Sequence, residues 1–112
     1  MEPTPRRIYY YETADGKCPF TEWRDSLKDT VFINALRARL ARLRLGLLGK
    51  CEPVGEGVLE LKFDIGPGYR AYFGEWKKAF VLFLVGGDKS SQRRKDIELA
   101  KEFWRDFRRS NP

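Results

Sequence analysis

No histidine occurs anywhere in the 112 residues, and there are only two cysteines and one methionine. Without an imidazole, Ser-His-Asp and Cys-His catalysis and every His-ligated metal site are excluded. Any chemistry then falls to Lys, Arg, Tyr or carboxylate side chains. Cys18 and Cys51 lie far apart with no C-x-x-C spacing, which reads as two reduced thiols rather than a disulfide framework. No run approaches the ~18 consecutive apolar residues of a membrane span. The opening Met-Glu-Pro-Thr-Pro-Arg-Arg also lacks the apolar centre of a signal peptide. The expectation is a cytoplasmic protein with no membrane partner and no metal or other cofactor. Internal repeats, linkers and low-complexity tracts are missing too, so residues 1–112 are read as a single domain.

What the chain does have is enough apolar material to build a core, at 42% hydrophobic and 14% aromatic residues. It also has a net charge of +6, which implies an acidic partner: nucleic acid, an anionic membrane or an acidic protein segment. The excess is uneven. Residues 30–62 carry six cations against three carboxylates, and residues 89–112 carry eight against four.

Residues 7–12 are β-branched and aromatic and predict a first strand, ended by the Ala14-Asp15-Gly16 turn. Pro19 suits a helix start, and Phe20, Trp23 and Leu27 recur at helical spacing. Asp29 or Thr30 can cap a second helix with Phe32, Leu36, Leu40, Leu43 and Leu47 on one stripe, stopped at Gly46 or Gly49. From Val58 to Ile65 the chain alternates strictly, with Leu59, Leu61, Phe63 and Ile65 on a core face and Glu60, Lys62 and Asp64 on a wet one. Gly66-Pro67-Gly68 turns it into a second run with Tyr69, Ala71 and Phe73 on one side and Arg70 and Tyr72 on the other. A third run, Ala79 to Val85, is apolar throughout and predicts a strand covered on both faces. Ser90 or Ser91 can cap a last helix to about Arg109, with Ile97, Ala100, Phe103, Trp104 and Phe107 buried. The fold class that follows is α+β, a small twisted antiparallel sheet with helices packed on one face in the order β-α-α-β-β-β-α.

Four segments carry a resemblance over nearly the whole chain: Pro19 to Trp23, Pro53 to Lys62, Gly66 to Phe73 and Gly86 to Ser90. In order and spacing they resemble the RelE/HigB-like toxins of bacterial type II toxin–antitoxin modules, and within these the phage-derived addiction-module killer proteins. The resemblance implies a RelE/ParE-like fold. It also implies a ribosome-dependent mRNA endonuclease, or mRNA interferase, in which a nucleotide's own 2′-OH attacks the adjacent phosphate without a metal, so that translation is inhibited. The partners it implies are the ribosome, mRNA and a small cognate antitoxin, often a helix-turn-helix protein. Two other readings stay open: a ParE-like inhibitor of DNA gyrase, and a basic RNA- or protein-binding module without turnover.

On this reading the catalytic candidates are Lys62, Arg70, Tyr72 and Lys89. Arg70 is the phosphate clamp, because a planar guanidinium holds two oxygens at once; its bland alternative is a surface residue paired with Glu60 or Asp64. Lys62 stabilises the phosphorane or serves as a base, or is simply a solvated lysine. Tyr72 stacks on a base or orients the attacking hydroxyl, or packs in the sheet. Lys89 follows the last strand, where relatives place a basic residue. Arg37, Arg39, Arg42 and Arg44 on the second helix, and Arg93 on the last, are candidates for RNA phosphate contacts. Family members that carry a terminal Tyr or His differ from this chain, whose Ser91-to-Ile97 region holds only Gln92, Arg93, Arg94, Lys95 and Asp96. The acid for the leaving group is therefore unassigned.

Overall fold

A computed structural model describes residues 5–88 and 92–112. The first strand, β1 (Arg7–Tyr10), is followed by two helices, α1 (Pro19–Ser26) and α2 (Thr30–Arg44). Four strands come next, β2 (Cys51–Gly55), β3 (Val58–Lys62), β4 (Arg70–Trp76) and β5 (Phe80–Gly87), and the chain closes with α3 (Arg93–Ser110). The α+β class is as expected, and three finer points differ.

The sheet has five strands in the order β1-β5-β4-β3-β2, one more than the alternation predicted, because Cys51–Gly55 pairs antiparallel with β3 despite Pro53 and a register shift between Pro53 and Gly55. Pro53 is tolerated because β2 is an edge strand, where one row of backbone groups faces no neighbour. The sheet is also mixed. β1 runs parallel to β5, with Ile8 opposite Val81 and Tyr10 opposite Phe83, while the other pairs are antiparallel.

Third, the helices occupy both faces. Phe20 of α1 and the α2 stripe Phe32, Leu36, Leu40 and Leu43 pack on Leu61, Phe63, Ala71, Phe73 and Phe83. On the opposite face, Ala100 and Trp104 of α3 cover Val58, Tyr72, Leu82 and Leu84. The physical reason lies in β5: a strand apolar on both sides needs two covers, and α1 with α2 supplies only one. The face of β3 and β4 expected to be wet is therefore roofed by α3. Two glycines set how closely the covers approach. A side-chain carbon on Gly74 would lie 2.5 Å from the Trp104 ring, and one on Gly86 would overlap the Trp23 ring from the other side.

Local signals place the helix ends. Pro19 sits in the first turn of α1. Asp29 caps α2, its carboxylate accepting from the Phe32 N–H at 3.1 Å. The helix stops at Arg44, with Gly46 in the left-handed region at φ +84°, so Leu47 falls beyond it and is 41% exposed rather than part of the buried stripe. The cap of α3 is Gln92, which makes no side-chain capping bond; Ser90 and Ser91 lie outside the described residues. Cys18 and Cys51 are free, partly buried thiols. No helix is long and apolar enough to cross a membrane among the described residues.

Candidate functional site

The ladder of β3, β4 and β5 puts Lys62, Arg70 and Gly87 in one row across the sheet, with Glu60, Tyr72 and Val85 in the next. Because side chains alternate along a strand, these positions share the α3 face. Two of the four residues proposed for catalysis are thus direct cross-strand neighbours.

Glu60 is the centre of the cluster and is fully buried. Its carboxylate accepts from the Tyr72 hydroxyl at 2.8 Å and from Arg93 in a bidentate pair, Nε at 3.0 Å and Nη2 at 3.1 Å. Arg70 Nε stands 3.5 Å from the same carboxylate, close enough for charge attraction, yet it makes no hydrogen bond and is buried. Burial alone would push the Glu60 carboxyl up. The hydrogen bonds from Arg93 and Tyr72 and the charges of Arg93 and Arg70 outweigh it, and hold the group below the usual glutamate range. Burial, and then the bond to Glu60, pushes the Tyr72 hydroxyl well above the ordinary tyrosine range.

These contacts alter several expected roles. Tyr72 is only 1% exposed, so it has no open ring face on which a base can stack, and its hydroxyl is committed to Glu60. Arg93, expected on an RNA surface, spends its guanidinium on Glu60 and ties α3 to β3. Lys62 Nζ donates to Glu52 at 3.2 Å and remains partly exposed at the edge of the cluster. Lys89 lies outside the described residues. Glu60 itself was assigned no role beyond pairing with Arg70. Its alternation marks which face it is on, and nothing in the local sequence says that a helix 33 residues later will bury it.

The arginines of α2 do not extend this surface. They belong to the layer on the opposite side of the sheet. Arg37, Arg42 and Arg44 are exposed there. Arg39 is half-buried and works inside the fold: it donates to the carbonyls of Leu48 and Lys50 at 3.2 and 3.4 Å and lies over the Phe63 ring. The cations exposed on the same layer as Lys62 and Arg70 are instead those of α3, among them Arg94, Lys95, Arg105 and Arg108.

Asp96, in the first turns of α3, carries a second unsatisfied buried atom, Oδ2. A side-chain carbon at Gly87 would overlap this carboxylate, which puts Asp96 directly over Gly87, the β5 end of the Lys62–Arg70–Gly87 row. Among the described residues, no three Cys, Asp or Glu side chains are grouped to hold a metal ion. A cavity of about 470 Å³ lies elsewhere, between β1 and the end of α3, lined by Tyr9, Tyr11, Glu12, Trp76, Asp106 and Phe107 among others. Among the described residues no Lys or Arg lines it.

No family model matches the chain. An uncharacterized protein of Haemophilus influenzae (strain Rd) is 40% identical over 82 residues, which cover 73% of this chain and 82% of that protein. The chain belongs to the same family as this protein. The kinship establishes common descent; the chemistry rests on the side chains described above.

Proposed function

We propose that this chain is the toxin of a type II toxin–antitoxin module, acting in the cytoplasm as a ribosome-dependent, metal-independent mRNA endonuclease. The observation that carries this reading is the pair of adjacent cations Lys62 and Arg70, with Arg70 Nε buried and left without a hydrogen-bond partner. Well-packed proteins satisfy their buried polar groups, so an orphan donor 3.5 Å from Glu60 calls for an explanation: the guanidinium turns from Glu60 to a phosphate. The planar guanidinium can take two oxygens of a scissile phosphate, while Lys62 adds a second positive charge one strand away. Both favour the phosphorane over the ground state, because that is where negative charge accumulates. Glu60 is the brace: its buried carboxylate holds Tyr72 and Arg93, and attracts Arg70 without using up its donor. The exposed cations of α3 lie on the same layer and suit sequence-independent contact with ribosomal RNA phosphates. A cognate antitoxin covering this basic layer would silence it.

The test is cleavage of mRNA on purified ribosomes, with product ends identified by mass. Wild-type protein should leave 2′,3′-cyclic phosphate and 5′-hydroxyl ends. Lys62→Ala combined with Arg70→Lys keeps a charge against Glu60, and hence the fold, but loses the two-oxygen clamp; its cleavage rate should fall at least ~100-fold, the scale of losing one preorganised donor. Intact mRNA with wild-type protein, or an undiminished rate in the folded double variant, would overturn the reading.

A further inference from the structure

We propose that Asp96 is the general acid of this site, donating its carboxyl proton to the 5′-oxygen as the P–O5′ bond breaks. The inference rests on the nuclease reading above and fills the role that the sequence leaves unassigned.

Geometry brings the residue there. Lys62, Arg70 and Gly87 lie side by side on three neighbouring strands, and the absence of a side chain at Gly87 leaves the space that the Asp96 carboxyl takes. The row thus ends in a carboxyl group directly after its two cations. Asp96 Oδ2 and Arg70 Nε are both buried and both without a hydrogen-bond partner among the described residues. The two orphaned atoms are of opposite type, Arg70 Nε on β4 and Asp96 Oδ2 on α3 over the neighbouring strand, and in the proposed step the substrate uses one as donor to phosphate oxygen and the other as proton source. A carboxyl retained only to stabilise the start of α3 would gain more from facing the helix N–H groups or solvent than from being pressed against a glycine.

The surrounding charges suit an acid. Burial raises the Asp96 carboxyl above the ordinary aspartate range, and Asp88 at the end of β5 adds to the rise. Across the sheet, Arg70 and Lys62 hold the row positions next to Gly87 but pair with Glu60 and Glu52, and on its own helix Arg93 is occupied by Glu60. Glu60, held below its usual range by Arg93, Tyr72 and Arg70, is the poorer acid of the two carboxyls. In the step itself the 2′-oxygen bonds to phosphorus and its proton passes to water. The P–O5′ bond breaks, O5′ takes the Asp96 proton, and the carboxylate is reprotonated from solvent. The products are a 2′,3′-cyclic phosphate and a 5′-hydroxyl.

The experiment uses the full chain, purified ribosomes and two synthetic mRNAs, one with the natural linkage and one with sulfur in place of the bridging 5′-oxygen at the cleavage site. A thiolate leaves without protonation, so it bypasses the acid. Asp96→Asn should cut the natural mRNA at least ~100-fold more slowly than wild type, within the range expected for losing a general acid. It should cut the sulfur-linked mRNA at close to the wild-type rate. Equal slowing on both substrates, or no slowing on the natural one, overturns the assignment while leaving the nuclease reading intact. A wild-type chain that cuts neither substrate overturns both. If Asp96→Asn does not fold, wild type decides alone: its rate on the oxygen linkage divided by its rate on the sulfur linkage should fall as pH rises through the titration of the carboxyl, and a pH-independent ratio refutes the proposal.

Discussion

Removing the Arg93 guanidinium tests whether the buried carboxylate organises this face of the protein. In Arg93→Ala, Glu60 keeps the Tyr72 hydroxyl at 2.8 Å and Arg70 at 3.5 Å, but loses both bonds of its bidentate partner. Breaking a buried ion pair by deleting one partner costs roughly 3–5 kcal/mol. Here the Arg93 side chain is 44% exposed, so water replaces part of what is lost, and Arg70 retains part of the compensation. The expected loss is therefore about 2 kcal/mol, below the range for a fully buried pair. For a domain of this size that lowers the melting temperature by about 8 °C. Urea unfolding followed by tryptophan fluorescence measures it directly. The pH dependence gives a second, independent reading. In the native protein the Glu60 carboxyl sits below its ordinary value, near 4.3, so its stabilising contribution is present above that pH and is lost as pH falls through the folded value. In the variant, burial dominates and the carboxyl moves up instead, so protonation relieves the fold. The stability gap between the two proteins should be widest near pH 7 and should close as pH falls towards and below about 4. A loss under about 0.5 kcal/mol, or a gap constant from pH 7 to pH 3.5, would refute Glu60 as the brace.

Gly74→Ala and Gly86→Ala drive a methyl group into Trp104 and Trp23 respectively, and each should lower stability in urea by about 1–3 kcal/mol, as overpacking does. Unchanged unfolding midpoints would mean the helices do not sit as close to the sheet as described. Arg39→Ala should lose about 1 kcal/mol of stability through the bonds to Leu48 and Lys50, with ribosome binding unaltered in its salt dependence. Replacing Arg37, Arg42 and Arg44 together should leave stability within about 0.5 kcal/mol, because all three are exposed. A salt-dependent loss of binding in that triple variant would show that the α2 layer also meets the ribosome.

Much of this protein was legible in local patterns. Alternation assigned Leu59 to Lys62 of β3 and Arg70 to Phe73 of β4 to their faces, and the continuous apolar run of β5 required cover on both sides. Asp29 marked the start of α2, and the spacing of Ala100, Phe103, Trp104 and Phe107 marked the inner face of α3. All of these depend on the repeat of one strand or one helix, which a short stretch of sequence carries by itself. What only the tertiary structure decided is what lies over each face. Val58 and Tyr72 needed a roof, and α3 provided it from the far end of the chain, turning a polar strand face into one where Glu60 is sealed and Tyr72 commits its hydroxyl. The same placement put Asp96 over Gly87, paired Arg93 with Glu60, and set the α2 arginines behind the sheet from Lys62 and Arg70. Periodicity records which side chains point together, whereas burial and pairing depend on contacts between segments tens of residues apart, and those are fixed only when the layers close on one another.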